Sequence, residues 1–553
     1  MKAITIQFVL QYALRGQERS STQFCNNERD ENIGKYFWDG SVRETEMRVT
    51  TRREVLKYAG MGLGVAAASA LGVSNADTDA GQGQAPTKPA QTEVTDKAGK
   101  RLAAGAEIAW TKAAKKATAA DVTVDPATSK QKILGFGAAF TDAACFTLSR
   151  LNDDDRAKLL HTMFGQDQHA LSMGRICIGA SDYSAAAYSY DDGAADPELK
   201  RFSIDHDRDY ILPTLQAAVG ANPDLFLYAS PWSPPGWMKY SNSMLGGNIR
   251  PENIPTYARY LQKFVDGYAA SGVKVRAVTT QNEIDADQGG RMPACAWPEE
   301  DEERLIAELG PLLEASGTKI WTLDHNYNLW GHALDQLSRP RIKKYVNTVA
   351  WHGYVGTPEM MNNVKTKFPD VEMHWTEGGD DYKFPDYLTN WSKWGATFSG
   401  ILANGPQSIT TWNVALDERG RPNIGPFDCG GLVQIHSKTK EITMSGLYWA
   451  LTQYARAFRR GATIVASRDA GGDAPAVNGA LIGQPAAASS PGAAAAKSAA
   501  ISRVFHTAAK NFDGSMVLVL ANPGEAKDIT VACAGQIAKV ALTADSVTTL
   551  RWS

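Results

Sequence analysis

Several routes to function are closed by what this sequence lacks. No two of its six cysteines, Cys25, Cys145, Cys177, Cys295, Cys429 and Cys533, form a C-x-x-C pair, so neither a zinc knuckle nor a dithiol redox centre is expected. The thiols should be mostly buried, with one disulfide left open. The chain has almost no net charge, −3 over 553 residues, and so lacks the basic footprint of a nucleic-acid binder. No glycine-rich phosphate loop follows any strand-like run, which argues against an open doubly wound sheet. No metal and no cofactor are expected.

A long membrane-spanning run is also missing near the N-terminus. "YAGMGLGVAAASALGV" is 16 residues of mostly Gly and Ala, short for a span. It follows "TRREVLK" (51–57) and precedes "SNA", the layout of a signal peptide. The Arg52-Arg53 pair resembles a twin-arginine export signal. Residues 47–76 are therefore read as that signal, and export to the periplasm or the extracellular space is expected. A signal should lie near the start, so residues 1–46 read as a mis-called extension, with translation beginning at Met47. Residues 77–105 read as a linker, being rich in Gly, Gln, Ala, Pro and Thr without apolar period.

What is present is a repeating rhythm. Eight apolar, strand-like runs alternate with helical stretches: 133–140, 171–181, 225–232, 275–283, 319–326, 348–354, 372–379 and 408–416. Near-continuous apolar runs suit strands buried on both faces. Between them, "IPTYARYLQKFVDGYAAS" carries Tyr257, Tyr260, Leu261, Phe264 and Tyr268 on one stripe and ends at Gly272, an amphipathic helix with its cap. The pattern predicts an α/β fold, a (β/α)8 barrel over 131–454. After Phe458 only short strand patterns remain. Residues 106–130 and 455–553 are expected to form one β-sandwich built from both chain ends. The Ala/Pro/Gly-rich stretch 471–500 reads as a loop inserted between two of its strands.

In such a barrel the chemistry lies at the C-terminal strand ends. Those ends carry Asp142, Asp182, Trp232, Asn282-Glu283, Asp324-His325, His352, Tyr354, Glu377 and Trp412-Asn413. Glu283 closes the fourth run and Glu377 the seventh, facing positions in an eight-membered ring. A glutamate ending a strand is as readily a polar stop as a catalyst. Two on facing strands, among aromatics, suit cleavage of a sugar acetal, where one carboxyl protonates the leaving oxygen and the other attacks the anomeric carbon. Fourteen tryptophans, many at strand ends, offer flat faces for sugar rings.

The motifs "ILGFGAAFTDAA", "SPWSPPGWMK", "AVTTQNE", "HWTEGG" and "TTWNVALDERG", in that order from about residue 106, resemble glycoside hydrolase family 30, in particular its glucosylceramidase-like branch. The resemblance implies a retaining β-glycosidase with Glu283 as general acid/base and Glu377 as nucleophile. It assigns Asn282 to the sugar 2-hydroxyl, Asp142 and Trp232 to the sugar next to the cut, and Trp412 and Asn413 to the pocket floor. Tyr354 would hold the nucleophile and Arg175 would be a supporting cation, with Asp324 and His325 in supporting or rim positions. The partner implied is a carbohydrate or glycolipid substrate, the latter adding contact with a lipid surface. The leading expectation is a glucosylceramidase-like β-glucosidase. Alternatives on the same scaffold are an endo-β-1,6-glucanase or a β-xylosidase, and more remotely a non-catalytic sugar-binding protein. Oligomeric state is left open.

Two further expectations follow. Glu283 should have a raised pKa, pushed up by Glu377 and aromatic walls. Many relatives carry Pro after the acid/base glutamate, whereas this chain has Ile284, so the loop at 287–293 is expected to differ there. A metal site built on His374 and Glu377 is rejected, since three residues along a strand place two side chains on opposite faces.

Overall fold

The computed structural model describes residues 85–113, 120–470, 472–473 and 503–553. The extension, the signal segment and nearly all of the low-complexity stretch at 471–500 lie outside these residues.

Eight parallel strands close into a barrel. They are β1 (Gly135–Phe140), β2 (Met173–Ile178), β3 (Phe226–Pro231), β4 (Val275–Thr279), β5 (Lys319–Asn326), β6 (Thr348–His352), β7 (Glu372–Glu377) and β8 (Ser408–Thr411). Each of the eight runs read from the sequence contains one of them, usually shorter than the apolar run. The (β/α)8 expectation holds. Strands buried on both faces explain the continuous apolar pattern: β1, β2 and β6 have no exposed residue. Met173, Tyr228, Ala277, Trp321 and Ala350 form a cluster of their own, one residue from each of five successive strands. The amphipathic helix is Ile254–Ala270, with Tyr257, Tyr260, Leu261, Phe264 and Tyr268 all fully buried. Gly272 follows its end at φ +77°, a left-handed turn that costs glycine little.

The register shifts on both sides of the end of β6, and His352 comes to pair with Glu377 on β7 and Asn326 on β5. Such irregularities re-aim side chains at barrel rims. This one points His352 into the space between the fourth and seventh strand ends.

The all-β module draws on both chain ends, as expected. Strand Val122–Lys132 lies between Thr463–Asp469 and Lys527–Cys533. The reading of 77–105 as a linker is corrected. Gln91–Thr95 is a strand that pairs antiparallel with Ser546–Trp552. Its sequence, "QTEVT", is too polar and short to announce itself, and its partner lies more than 450 residues away. Strand Met516–Asn522 shows how the module meets the barrel. Met516, Leu518 and Leu520 face the module's own core, while Val517, Val519 and Ala521 face the barrel's, the two-residue period of a strand buried on both sides. Gly395, on helix Trp391–Ala403, lets that contact close, because a Cβ there would lie 2.9 Å from the Cβ of Ala521.

Candidate active site

Strand β4 ends at Thr279, four residues before Glu283. The exit is nevertheless pinned on both sides. The amide of Asn282 donates to Pro231 O on β3 at 2.8 Å, and that of Glu283 to Asp324 O on β5 at 2.9 Å. Glu283 (φ +53°), Leu323 (+73°), Asp324 (+45°) and Asn413 (+49°) all occupy left-handed backbone. For non-glycine residues this is strained, and such strain gathers at functional sites.

Arg175, on β2, is the centre of the site. It is fully buried. Its Nε donates to Ser230 Oγ at 3.0 Å, its Nη1 to Glu377 Oε2, and its Nη2 to Asn282 Oδ1 at 2.8 Å and Asp324 Oδ2 at 2.7 Å. Its guanidinium also stacks near Trp232, 4.7 Å from the ring centre. The other oxygen of Glu377 accepts from Tyr354 Oη at 3.0 Å. Asp324 is a buried hub. Oδ2 also accepts from Ser230 and Thr279, both at 2.8 Å, while Oδ1 takes Thr376 at 2.6 Å and His352 Nε2 at 3.0 Å. One imidazole therefore lies between the two glutamates: His352 Nδ1 is 3.6 Å from Glu283 Oε1, and Nε2 is 4.0 Å from Glu377 Oε2. The carboxylates are separated by no more than a ring and two contacts.

Glu283 also accepts from Gln288 Nε2, so the loop at 287–293 reaches the glutamate directly. Lys239 laces this region. Its buried Nζ donates to Ser233 Oγ, Met244 O and Ala294 O. Ile284 is buried in the barrel core and its carbonyl accepts from Trp297 N. Trp232 and Trp412 stack at 5.2 Å, as residues of one pocket floor would. Asn413 accepts from Thr141 at 2.9 Å, bracing the exit of β1. His325 stands at the rim, 2.8 Å from Asp285 and 3.8 Å from Glu283 Oε1.

Asp142 is not part of this gathering. It starts helix Asp142–Ser149, accepts from Tyr210 Oη at 2.7 Å and has His206 and Asp207 as its charged neighbours. The carboxyl that does face the glutamates is Asp182, at the exit of β2. It is buried beneath the loop at 423–429, with Ile424 N donating to its carbonyl and a Cβ on Gly425 falling 2.5 Å from its own. Asp182, His352 and Gln288 were not among the assigned residues. The first two stand at strand ends, but so do many polar side chains.

Electrostatics correct a second expectation. Burial pushes the Glu283 carboxyl up, but bonding to His352, the charge of His325 and the Gln288 amide outweigh it and hold Glu283 below the usual range. The raised carboxyl is Asp182, through burial and then the charges of Glu377 and Glu283. Burial would lower His352, yet Glu377, Asp324 and Glu283 raise it to about 9. Asp324 is held far below a normal carboxylate; burial opposes this, but Arg175 and His352 prevail. His374 takes no part. It bonds Ser408 at 2.8 Å and stacks on Trp321 at 4.2 Å, on the opposite side of β7 from Glu377, as its spacing required. The histidines that do cluster are His325 and His352, whose ring nitrogens lie with a Glu283 oxygen within 4.8 Å of one another.

The description "Glycosyl hydrolase family 30 TIM-barrel domain" matches residues 133–452. An endo-1,6-beta-D-glucanase of Neurospora crassa is 31% identical over 363 residues, 62% of this chain and 74% of that protein. The lysosomal acid glucosylceramidase of Mus musculus is 30% identical over 327 residues, 55% of this chain and 63% of the relative. Among solved structures, an endo-beta1,6-glucanase superposes with a TM-score of 0.70 at 25% identity, covering 84% of this chain and all of that one. The Salmonella typhimurium protein SrfJ shares the fold, at TM-score 0.75 and 23% identity over 84% of this chain and 99% of its own.

Proposed function

The chain belongs to glycosyl hydrolase family 30, and on that premise we propose that it is a retaining β-glycosidase that cuts β-1,6-linked glucan internally. One observation carries the chemistry: Glu283 and Glu377 flank a single imidazole at the same barrel mouth. Glu377 receives one charge-assisted bond from Arg175 and one from Tyr354, which aim it at an anomeric carbon. Displacement forms a glycosyl ester on Glu377. Glu283 gives its proton to the departing oxygen and then takes one from the incoming water. Its position beside His352 makes the two a coupled pair, so the proton belongs to the pair and not to either residue alone. With its Oδ1 turned to Arg175, Asn282 keeps its Nδ2 for the sugar 2-hydroxyl. Trp232 and Trp412 give the ring a stacking wall, and Asp182 takes the hydroxyl contact first assigned to Asp142.

The polymer reading is preferred over the glucosylceramidase one on two grounds. The endo-1,6-β-glucanase relative aligns over a larger share of its own length than the lysosomal glucosylceramidase does. On loops beyond the strand ends, Tyr240 and Phe427 are 63% and 42% exposed, stacking faces for sugars further along a chain. A polymeric substrate lies outside the cell, which fits export under the twin-arginine pattern. Side-by-side assays on linear β-1,6-glucan, glucosylceramide and an aryl β-glucoside test the reading. Rapid loss of glucan chain length, with a ladder of short oligomers, is expected. Glucose as the only early product, or faster turnover of glucosylceramide, would reject it.

A further inference from the structure

Glu283, His325 and His352 leave the barrel on three successive strand exits, yet their side chains meet. Glu283 Oε1 lies 3.6 Å from Nδ1 of His352 and 3.8 Å from Nδ1 of His325. The far nitrogen of each ring is held by a carboxylate: Nε2 of His352 by Asp324 Oδ1 at 3.0 Å, and Nε2 of His325 by Asp285 Oδ1 at 2.8 Å. An ionised carboxylate only accepts, so each Nε2 carries hydrogen, which leaves Nδ1 of each ring as the atom an ion would bind, displacing its proton where the ring is charged. Both Nδ1 atoms are buried and face the Glu283 oxygen at the long end of a hydrogen bond. The residues themselves are 0% and 7% exposed. Two buried ring nitrogens and a carboxylate oxygen thus converge on one point, all within 4.8 Å of one another.

The outer carboxylates matter as much as the inner atoms. A carboxylate on the far nitrogen is how metal-binding histidines are fixed in tautomer and orientation. Two imidazoles and one carboxylate suit zinc and its transition-metal neighbours. Calcium and magnesium favour oxygen alone. Tetrahedral zinc would draw its donors to about 3.3 Å apart, so the rings need to close only modestly from where they stand.

We propose that Glu283, His325 and His352 form a binding site for a divalent transition-metal ion of the zinc class, and that the bound ion blocks turnover by occupying the Glu283 oxygen. The first half is independent of the substrate. The second rests on Glu283 being the acid/base of the proposed function. It also alters the sequence-based expectation of no metal, since three ligands on three strands carry no spacing that a sequence motif could show.

The full chain, stripped with a chelator, is titrated with cobalt(II) by visible absorption and with zinc(II) by calorimetry. One equivalent of each should bind. Glu283→Gln and His325→Ala should each weaken binding at least tenfold. Asp285→Asn, an isosteric change at a half-exposed position, should weaken it by roughly tenfold through the orienting bond. Zinc should inhibit hydrolysis of an aryl β-glucoside reversibly, and magnesium should not. The site is refuted if no stoichiometric binding occurs, or if affinity is unchanged in all three variants. Stoichiometric binding at these residues without inhibition would refute the blocking. Neither readout depends on which glucoside is natural, because the binding titrations contain no substrate and Glu283→Gln kinetics test the acid/base role separately.

Discussion

The amide of Glu283 donates to the carbonyl of Asp324 at 2.9 Å, and both residues hold left-handed backbone, at φ +53° and +45°. Two strained strand exits brace one another. The Asp324 side chain meanwhile ties down Arg175, which in turn holds Glu377. The position of one glutamate is thus coupled to that of the other through a single buried aspartate.

If Glu283 and Glu377 are the reacting pair, each Gln variant has a distinct signature. Glu377→Gln should lose turnover by several orders of magnitude on every substrate. Glu283→Gln should lose about 10²–10⁴-fold on glucan but far less on a dinitrophenyl glucoside, whose leaving group needs no proton. Steady-state kinetics on both substrates check this, and equal losses on both would remove Glu283 from the proton-donating role.

Arg175 has no substitute in its geometry. Arg175→Lys cannot serve Ser230, Glu377, Asn282 and Asp324 together, because an ammonium lacks the planar fork. It leaves buried acceptors short of donors, and destabilisation of about 3–5 kcal/mol is expected where a buried pair is broken. Denaturant unfolding measures it. A variant of native stability and activity would show that the hub is not needed.

Asp182 and Asp142 separate by kinetics. Asp182→Ala should raise KM and lower kcat, since this carboxyl faces the two glutamates. Asp142→Ala should leave KM close to the wild-type value and act chiefly on stability, through the lost bond to Tyr210. The reverse pattern would restore the assignment first read from the sequence.

Acid should destabilise the protein through His374. Burial lowers its pKa from 6.5 to about 3. The folded state therefore disfavours its charge, and the stability this contributes is present above pH 6.5 and is lost as pH falls towards 3. At pH 4.5 the loss from this one group is about 2–3 kcal/mol. His374→Asn should shrink the difference between urea midpoints at pH 7 and pH 4.5. An unchanged difference would show that His374 does not sense the pH.

Much of this architecture was legible along the chain. Strands shielded on both faces must be apolar nearly throughout, so eight such runs announced a barrel, and the residues that broke each run marked its chemical end. Glu283, Glu377, Tyr354, Arg175 and the Trp232–Trp412 pair, which the fold brings together, were named that way or by resemblance to a family with the same motifs. What tertiary structure alone decided depends on direction and neighbours. Asp142 and Asp182 both follow strands, yet only the fold puts one beside Tyr210 and the other within the charges of Glu377 and Glu283. Gln91–Thr95 became a strand because its partner edge lay at the other end of the chain. The lowering of Glu283, and its meeting with two histidines, arose because electrostatic and ligand contacts act over a few ångströms of space, a distance that separation along the sequence does not measure.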